Sequence, residues 1–313
     1  MRSNIILGVI TLLVLSSCKK QLGLEPLSFD VQSDSTAYTS GSVTTFTFSG
    51  KPDNISFYSG EPGKRYEFKD RVTADGVPQL MFSTALNSGV QPSTLALMLS
   101  TDFAGGANGL LDSATIAAAN WTDISSRVTW ATGTTATSSG LINLTDFAAA
   151  GKPVYIAFKY TAAAGSIQNK WTITGLSLRN VLSDGTSYVL DSLPAILAAS
   201  NYGVGTTLPG WGGKTMLNTG YSWTLNASNM VIAGATSVAA ATSPTEAWAI
   251  TGPVNLKKVT PDAGVVVQSL SEYVPSFKYA YSKPGTYQPV FVGTNASADL
   301  VKKIERKLSV EIR

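Results

Sequence analysis

The sequence predicts an all-β fold of sandwich or jelly-roll type, and three features carry that expectation. Short segments alternate apolar and polar residues with a period of two, with turn signals about every 8–12 residues. The chain's 28 glycines and 14 prolines supply the turn chemistry. No long amphipathic helix is visible, so half-polar sheets must bury their apolar faces on one another. With 44% apolar and 14% charged residues among 313, the chain can fill a sizeable core and does not have a disordered composition.

Met1-Arg2 followed by the apolar run Ile5–Leu15 reads as a secretory signal, too short to span a bilayer. The run ends in Leu15-Ser16-Ser17-Cys18, which resembles a bacterial lipobox, with Cys18, the only cysteine, as the lipidated residue. Residues 1–17 are then a signal peptide and 18–26 a polar tether. Two or more acyl chains make such an anchor stable, where one is marginal. Lys19 stands where an inner-membrane retention aspartate would be, so the outer membrane is the expected location.

After the tether, Leu27, Phe29 and Val31 share one parity, and Phe46 with Phe48 marks a strand over Ser42–Ser49. Lys51-Pro52-Asp53-Asn54 turns into Ile55–Tyr58. The middle of the chain is richer in Ala, Thr and Gly. It presents strands at Gln79–Thr84, Thr94–Ser100, Trp121–Trp130, Gly140–Leu144, Val154–Tyr160, Lys170–Arg179, Tyr221–Asn226, Met230–Ile232 and Glu246–Thr251. Helical turns are expected at Ser113–Ala119 and Leu193–Ala199, and further strands at Thr286–Val292 and Lys307–Arg313.

Composition also excludes chemistry. Without histidine there is no Ser-His-Asp or Cys-His constellation and no His-containing zinc site. Removal of the anchor cysteine from solvent leaves no thiol for disulfide, metal or nucleophilic work. A net charge of +3 with no basic stripe argues against nucleic acid as a partner. A glycosidase needs only two carboxylates, and Glu61, Glu67, Asp70, Glu246 and Glu272 are available, but their spacing shows no pair sharing a cleft. The expectation is no enzyme activity and no cofactor. Asp102, Asp123 and Asp146 recur near strand ends and carry the oxygen chemistry of a structural Ca²⁺ site without any calcium-loop spacing. For Asp102 and Asp146, capping of strand ends is the simpler role.

Aromatics are the binding candidates, because a sugar ring presents an apolar C–H face that an indole or phenol can cover. Asn201–Ser228 reads as a Gly-rich loop carrying Tyr202, Trp211, Tyr221 and Trp223, with Lys214 and Asn218 as hydrogen-bonding groups. The competing reading has Trp223 alternating with Leu225 into the core and Trp211 capping a turn. Trp121, Trp130, Trp171 and Trp248 sit within strand patterns and are expected in the core.

The two ends together resemble one immunoglobulin-type module of the polycystic-kidney-disease (PKD) repeat class. The carriers are Phe29-Asp30-Val31, Val43–Ser49, Asn54–Tyr58, Phe277–Tyr281 and Lys283-Pro284-Gly285-Thr286-Tyr287; the usual Trp-Asp-Phe-Gly-Asp-Gly phrase is missing. This assigns 27–71 and 255–313 to a discontinuous PKD/immunoglobulin-like β-sandwich. The insert, 72–254, is similar to jelly-roll domains of adhesins and carbohydrate-binding lipoproteins through Leu97–Phe103, Trp121-Thr122-Asp123-Ile124, Gly140–Phe147, Lys152–Tyr160 and Trp171–Arg179. With Phe57–Gly63 and the lipobox, the mature chain resembles Bacteroidetes lipoproteins of domain-of-unknown-function family 5017. That resemblance implies an outward-facing cell-envelope protein beside a nutrient-uptake transporter, with polysaccharide or oligosaccharide as partner and the membrane reached through the lipid anchor. An adhesion or protein-assembly module is the alternative, and a glycoside hydrolase a third. Asp34-Ser35-Thr36, Asp112-Ser113-Ala114 and Asp191-Ser192-Leu193 resemble periplasmic O-glycosylation acceptors of related lipoproteins.

Overall fold

The computed structural model describes residues 26–105, 111–193, 210–270 and 272–313. Cys18, Tyr202 and the helical turn expected at Leu193–Ala199 from its second residue on lie outside these residues. The chain divides into two compact units, one comprising residues up to Gly60 with Gly264–Arg313, the other Glu61–Ala263. In chain order the first unit starts with β1 (Phe29–Ser33), β2 (Ala37–Tyr38), β3 (Val43–Gly50) and β4 (Asn54–Tyr58). The second unit holds β5 (Val77–Ser88), β6 (Leu95–Ser100), β7 (Thr122–Asp123), β8 (Thr137–Ser138), β9 (Ile142–Asn143), β10 (Tyr155–Ala162), β11 (Lys170–Val181) and β12 (Ser187–Ser192). It continues through β13 (Trp211–Leu217), β14 (Thr224–Leu225), β15 (Asn229–Ala233) and β16 (Thr245–Thr251), and contains the short helices α1 (Ser113–Ala118) and α2 (Thr145–Ala148). The chain returns to the first unit with β17 (Val265–Gln268), β18 (Ser276–Ala280), β19 (Gly285–Tyr287), β20 (Val290–Ala296), β21 (Val301–Lys307) and β22 (Val310–Ile312). The fold is an all-β sandwich with several antiparallel sheets.

In the first unit the sheets run β1-β3-β18, β17-β4-β20-β21 and β19-β22-β2, the last including a parallel β2–β22 pair. Alternation places Phe29, Val31, Phe46, Phe48, Ile55, Phe57 and Phe291 in one core. Phe291 is its hub, with ring centroids 4.9 Å from Phe46 and 4.7 Å from Phe57. Gly293 on β20 has no side chain because a Cβ there would stand 2.6 Å from the Phe29 ring.

In the second unit a five-stranded sheet, β13-β16-β10-β6-β7, faces a seven-stranded sheet built on β14-β15-β11-β5-β8, with β12 on β11 and β9 on β5. Phe82 of β5 and Phe158 of β10 meet edge to face between the sheets at 4.9 Å. Ile156, Tyr160, Leu97, Leu99, Ile173 and Leu178 fill the same core. Even positions of β10 point there, and odd ones to the opposite face, where Ala157, Trp248 and Ile250 are covered by Phe103 and Ile116. Asp112 caps α1 by accepting from Thr115 N–H, which fixes this cover. Residues 61–71 and 255–263 also belong here, held by Val259 N–H to Val72 O at 3.0 Å and by the Arg71–Asp262 ion pair at 3.2 Å.

Four segments depart from the expected elements. Trp121–Trp130 yields only β7, because Asp123 Oδ1 accepts from Ser125 N–H at 2.8 Å and turns the chain into a 3-10 turn at Ser125–Arg127. Thr286–Val292 is interrupted at Gln288-Pro289, so β19 and β20 enter different sheets. Lys307–Arg313 contributes just β22, while β21 forms ahead of it as a polar edge strand. The Gly-rich stretch at 211–217 is not a loop but β13, paired with β16.

Candidate functional site

Pairing of β13 with β16 decides the fate of the aromatic candidates. Trp211 faces the core at 1% exposure, stacked on Phe158 with centroids 5.4 Å apart and 23° between planes. Trp223 is 7% exposed, with its Cβ against Gly213, where a glycine leaves room for it. Both rings belong to the interior, a correction to their reading as surface platforms: a ring closed over by two sheets has no face left for a ligand. Trp223 Nε1 has no partner among the described residues. Lys214 stands opposite Trp248 in the register on the other face of the sheet, away from Trp211. Asn218 adopts φ 62° at the turn after β13 and donates to Thr245 Oγ1 at 3.4 Å. Tyr221 is half-buried, and its carbonyl accepts from Thr215 Oγ1 at 3.0 Å. Lys214, Asn218 and Tyr221 lie on a strand and a turn, not on one binding face.

The three aspartates do not converge either. Asp102 accepts from Asn120 Nδ2 and Ser100 Oγ, which hold its carboxyl below the usual range. Asp146 takes a two-pronged pair from Arg127, at 2.6 and 3.1 Å, which lowers its pKa. Among the described residues no three metal-ligating side chains cluster. Glu246 Oε1 accepts from Trp248 Nε1 at 2.7 Å and lies 3.8 Å from Lys159 Nζ, whose ammonium sits over the Trp248 ring.

A cleft forms elsewhere in the second unit, at one edge of the sandwich. It has a volume of about 530 Å³, within the range of ligand sites. Trp130, Trp171, Leu86 and Ala131 give it an apolar wall, while Gln91, Ser93, Asp123, Ser125, Thr132 and Asn169 add polar groups. Trp130 is half-buried, with its ring 6.2 Å from Trp171 and its Nε1–H donated to Ser125 O at 3.2 Å. The hydrogen-bonding capacity of that indole is thereby spent on its own chain, leaving an apolar ring surface in the cleft. Around it, the hydroxyls of Ser93 and Thr132 and Asp123 Oδ2 have no partner among the described residues.

The cleft's other wall is held rigid by a buried polar network. Asn169, 1% exposed, accepts from Gln91 N–H and donates to Gln91 O and to Thr94 Oγ1, which also accepts from Trp171 Nε1 at 2.8 Å. Gln91 reaches on to Ala163 O and Ser166 Oγ. Gly89, with φ 96°, starts this turn where a Cβ would meet Asn169 Cα at 2.3 Å. Ser93 at the tip has φ 51°, a strained conformation for a residue with a Cβ, held by the network beneath it.

A second hollow, about 550 Å³ and more open, shares Gln91, Pro92 and Ser93 with the first. Thr161, Ser166, Leu217 and Glu246 complete it. Sequence reading missed both, because Trp130 and Trp171 look like alternating core residues and Gln91-Pro92-Ser93 looks like any turn. Gly89 before a Pro-Ser tip is the local signal that was available.

A family model described as Domain of unknown function (DUF5017) matches residues 17–197, more than half of the chain. The chain belongs to this family. The DUF5017 match runs from the region of Cys18 through β12, and contains every residue of the Trp130 cleft. Leu217 and Glu246 of the second hollow lie beyond it. No curated protein and no solved structure matches the chain. Among the described residues no helix is long and apolar enough to cross a membrane.

Proposed function

We propose that this DUF5017 chain is a lipid-anchored protein of the bacterial outer membrane that holds an extracellular glycan without cleaving it, beside a nutrient-uptake transporter. The observation that carries the reading is the Trp130 ring in a cleft whose free hydroxyls and carboxylate oxygen suit sugar hydroxyls. A C–H face on an indole with polar groups at the rim is the arrangement a sugar needs. Cys18 supplies the anchor, residues 18–26 the tether, the first unit a PKD/immunoglobulin-like spacer and the second a jelly-roll-like binding domain. No calcium ion or other cofactor enters this reading. Affinity gel electrophoresis of the purified protein in a panel of polysaccharides tests it: retardation lost in Trp130→Ala supports the reading, and free migration in every glycan ends it. Labelling with radioactive palmitate, absent in Cys18→Ala, tests the anchor.

One observation favours adhesion or assembly instead. β17 is an edge strand of the first unit, and Val265, Val266, Leu270 and Tyr273 on and after it are 45%, 73%, 77% and 60% exposed. An apolar edge of this kind invites pairing with another protein chain. Co-purification of an envelope protein, abolished by Val266→Lys and untouched by Trp130→Ala, would establish that role.

A further inference from the structure

We infer that the two hollows are neighbouring subsites for one uncharged polysaccharide chain, with the Ser93 crest between them; this rests on the glycan-holding reading. Three observations combine. The hollows have Gln91, Pro92 and Ser93 in common, so one ligand lying across that turn enters both. The crest is fixed from below by the buried Asn169–Gln91–Thr94 network, so the spacing of the subsites is set before binding and the turn itself need not be ordered by the ligand. Among the described residues, the only ionisable side chains lining either hollow are the carboxylates of Asp123 and Glu246.

That charge pattern selects the ligand class. Asp123 has an oxygen free to accept from a sugar hydroxyl, and a hydroxyl is a donor that a uronate or sulfate group is not. An anionic sugar held about 4 Å from Asp123 would bind about five-fold more weakly even at the dielectric constant of water, and a polymer meets both carboxylates. Lys159 offsets Glu246 in part, yet its ammonium is already placed over Trp248. A polymer rather than a free end is implied because neither hollow is closed: the crest divides an open surface that a chain can cross in both directions.

The test uses the purified protein with galactomannan, xyloglucan and laminarin as neutral probes and polygalacturonate and alginate as anionic ones. At least one neutral polymer binds, with the anionic ones weaker by about five-fold or more, and Asp123→Asn with Glu246→Gln narrows that gap. Oligosaccharides of the bound polymer then gain affinity with length up to the span of both hollows. Leu217→Asp, in the second hollow alone, removes the gain for long chains and leaves the shortest bound oligomer unchanged. Equal or tighter binding of the anionic polymers overturns the inference while leaving the glycan reading intact. So does a Leu217→Asp protein that binds every length as well as the parent when Trp130→Ala binds none. Absence of binding to all five polymers removes both.

Discussion

Trp211 donates its indole Nε1–H to Asp191 Oδ2 at 2.9 Å, joining the two sheets of the second unit through their shared core. Asp191 lies on β12 of the seven-stranded sheet and Trp211 on β13 of the five-stranded one, and neither is more than 1% exposed. The second carboxyl oxygen accepts from Ser192 N–H. Desolvation pushes the Asp191 pKa well above the ordinary aspartate value, outweighing both hydrogen bonds.

The pH dependence follows from that direction. A carboxyl whose native pKa exceeds its unfolded value of about 3.9 binds its proton more tightly when folded. Its contribution is therefore complete below about pH 4 and declines as pH rises, until the native pKa is passed, by up to about 1.4 kcal/mol per unit. Asp191→Asn keeps the shape and one of the two acceptor oxygens, and it cannot ionise. Urea midpoints measured from pH 4 upward should fall more steeply for the parent than for the variant; parallel curves would show that Asp191 does not titrate in this way.

Two tryptophans should separate stability from binding. Trp211→Ala removes a ring stacked on Phe158 and strands Asp191, so a loss of about 3–5 kcal/mol is expected in chemical denaturation. Trp130→Ala, at a half-buried position, should cost less and abolish retardation in a glycan gel. If Trp130→Ala binds as the parent does, the cleft is not the contact.

Gly89→Ala probes the turn below Ser93. The new Cβ would stand 2.3 Å from Asn169 Cα at φ 96°, so both sterics and backbone oppose it. A destabilisation of more than about 1 kcal/mol is expected, with weaker glycan binding in the protein that remains folded. Thermal melts and affinity gels on the same sample read both.

The Arg71–Asp262 pair closes the two ends of the second unit. Asp262 has a fully buried carboxyl that takes Arg71 Nη2 and the Arg65 N–H at 2.9 Å, and the Arg71 guanidinium lies 4.0 Å over the Phe68 ring. Asp262→Ala leaves a largely buried cation without its partner and should cost about 3 kcal/mol. Asp146→Ala breaks the exposed pair with Arg127 and should cost less than about 1 kcal/mol. Equal losses in the two variants would contradict this division between buried and exposed charge.

Much of the strand pattern was legible because alternation is a local property. Phe46 with Phe48, and Ile156 with Phe158, announce their buried faces in the chain itself. β21 escaped notice because an edge strand with no fully buried side chain shows no apolar periodicity. β13 escaped because Gly212-Gly213 reads as a turn until Trp223 is seen to need the space beside Gly213. The family likewise could be read from phrases along the chain, since a motif needs no knowledge of contacts.

What the amino-acid order determined by itself was the period of two, the turn positions and hence the sheet-built fold, each set by neighbours a few residues apart. Which tryptophan is walled in and which borders a cleft was decided only by tertiary structure. Trp211 and Trp130 are both apolar rings near glycines, and nothing local distinguishes them. Burial depends on the strand that pairs alongside and the sheet that packs across, partners such as β16 and β12 that are remote in sequence or in a different sheet.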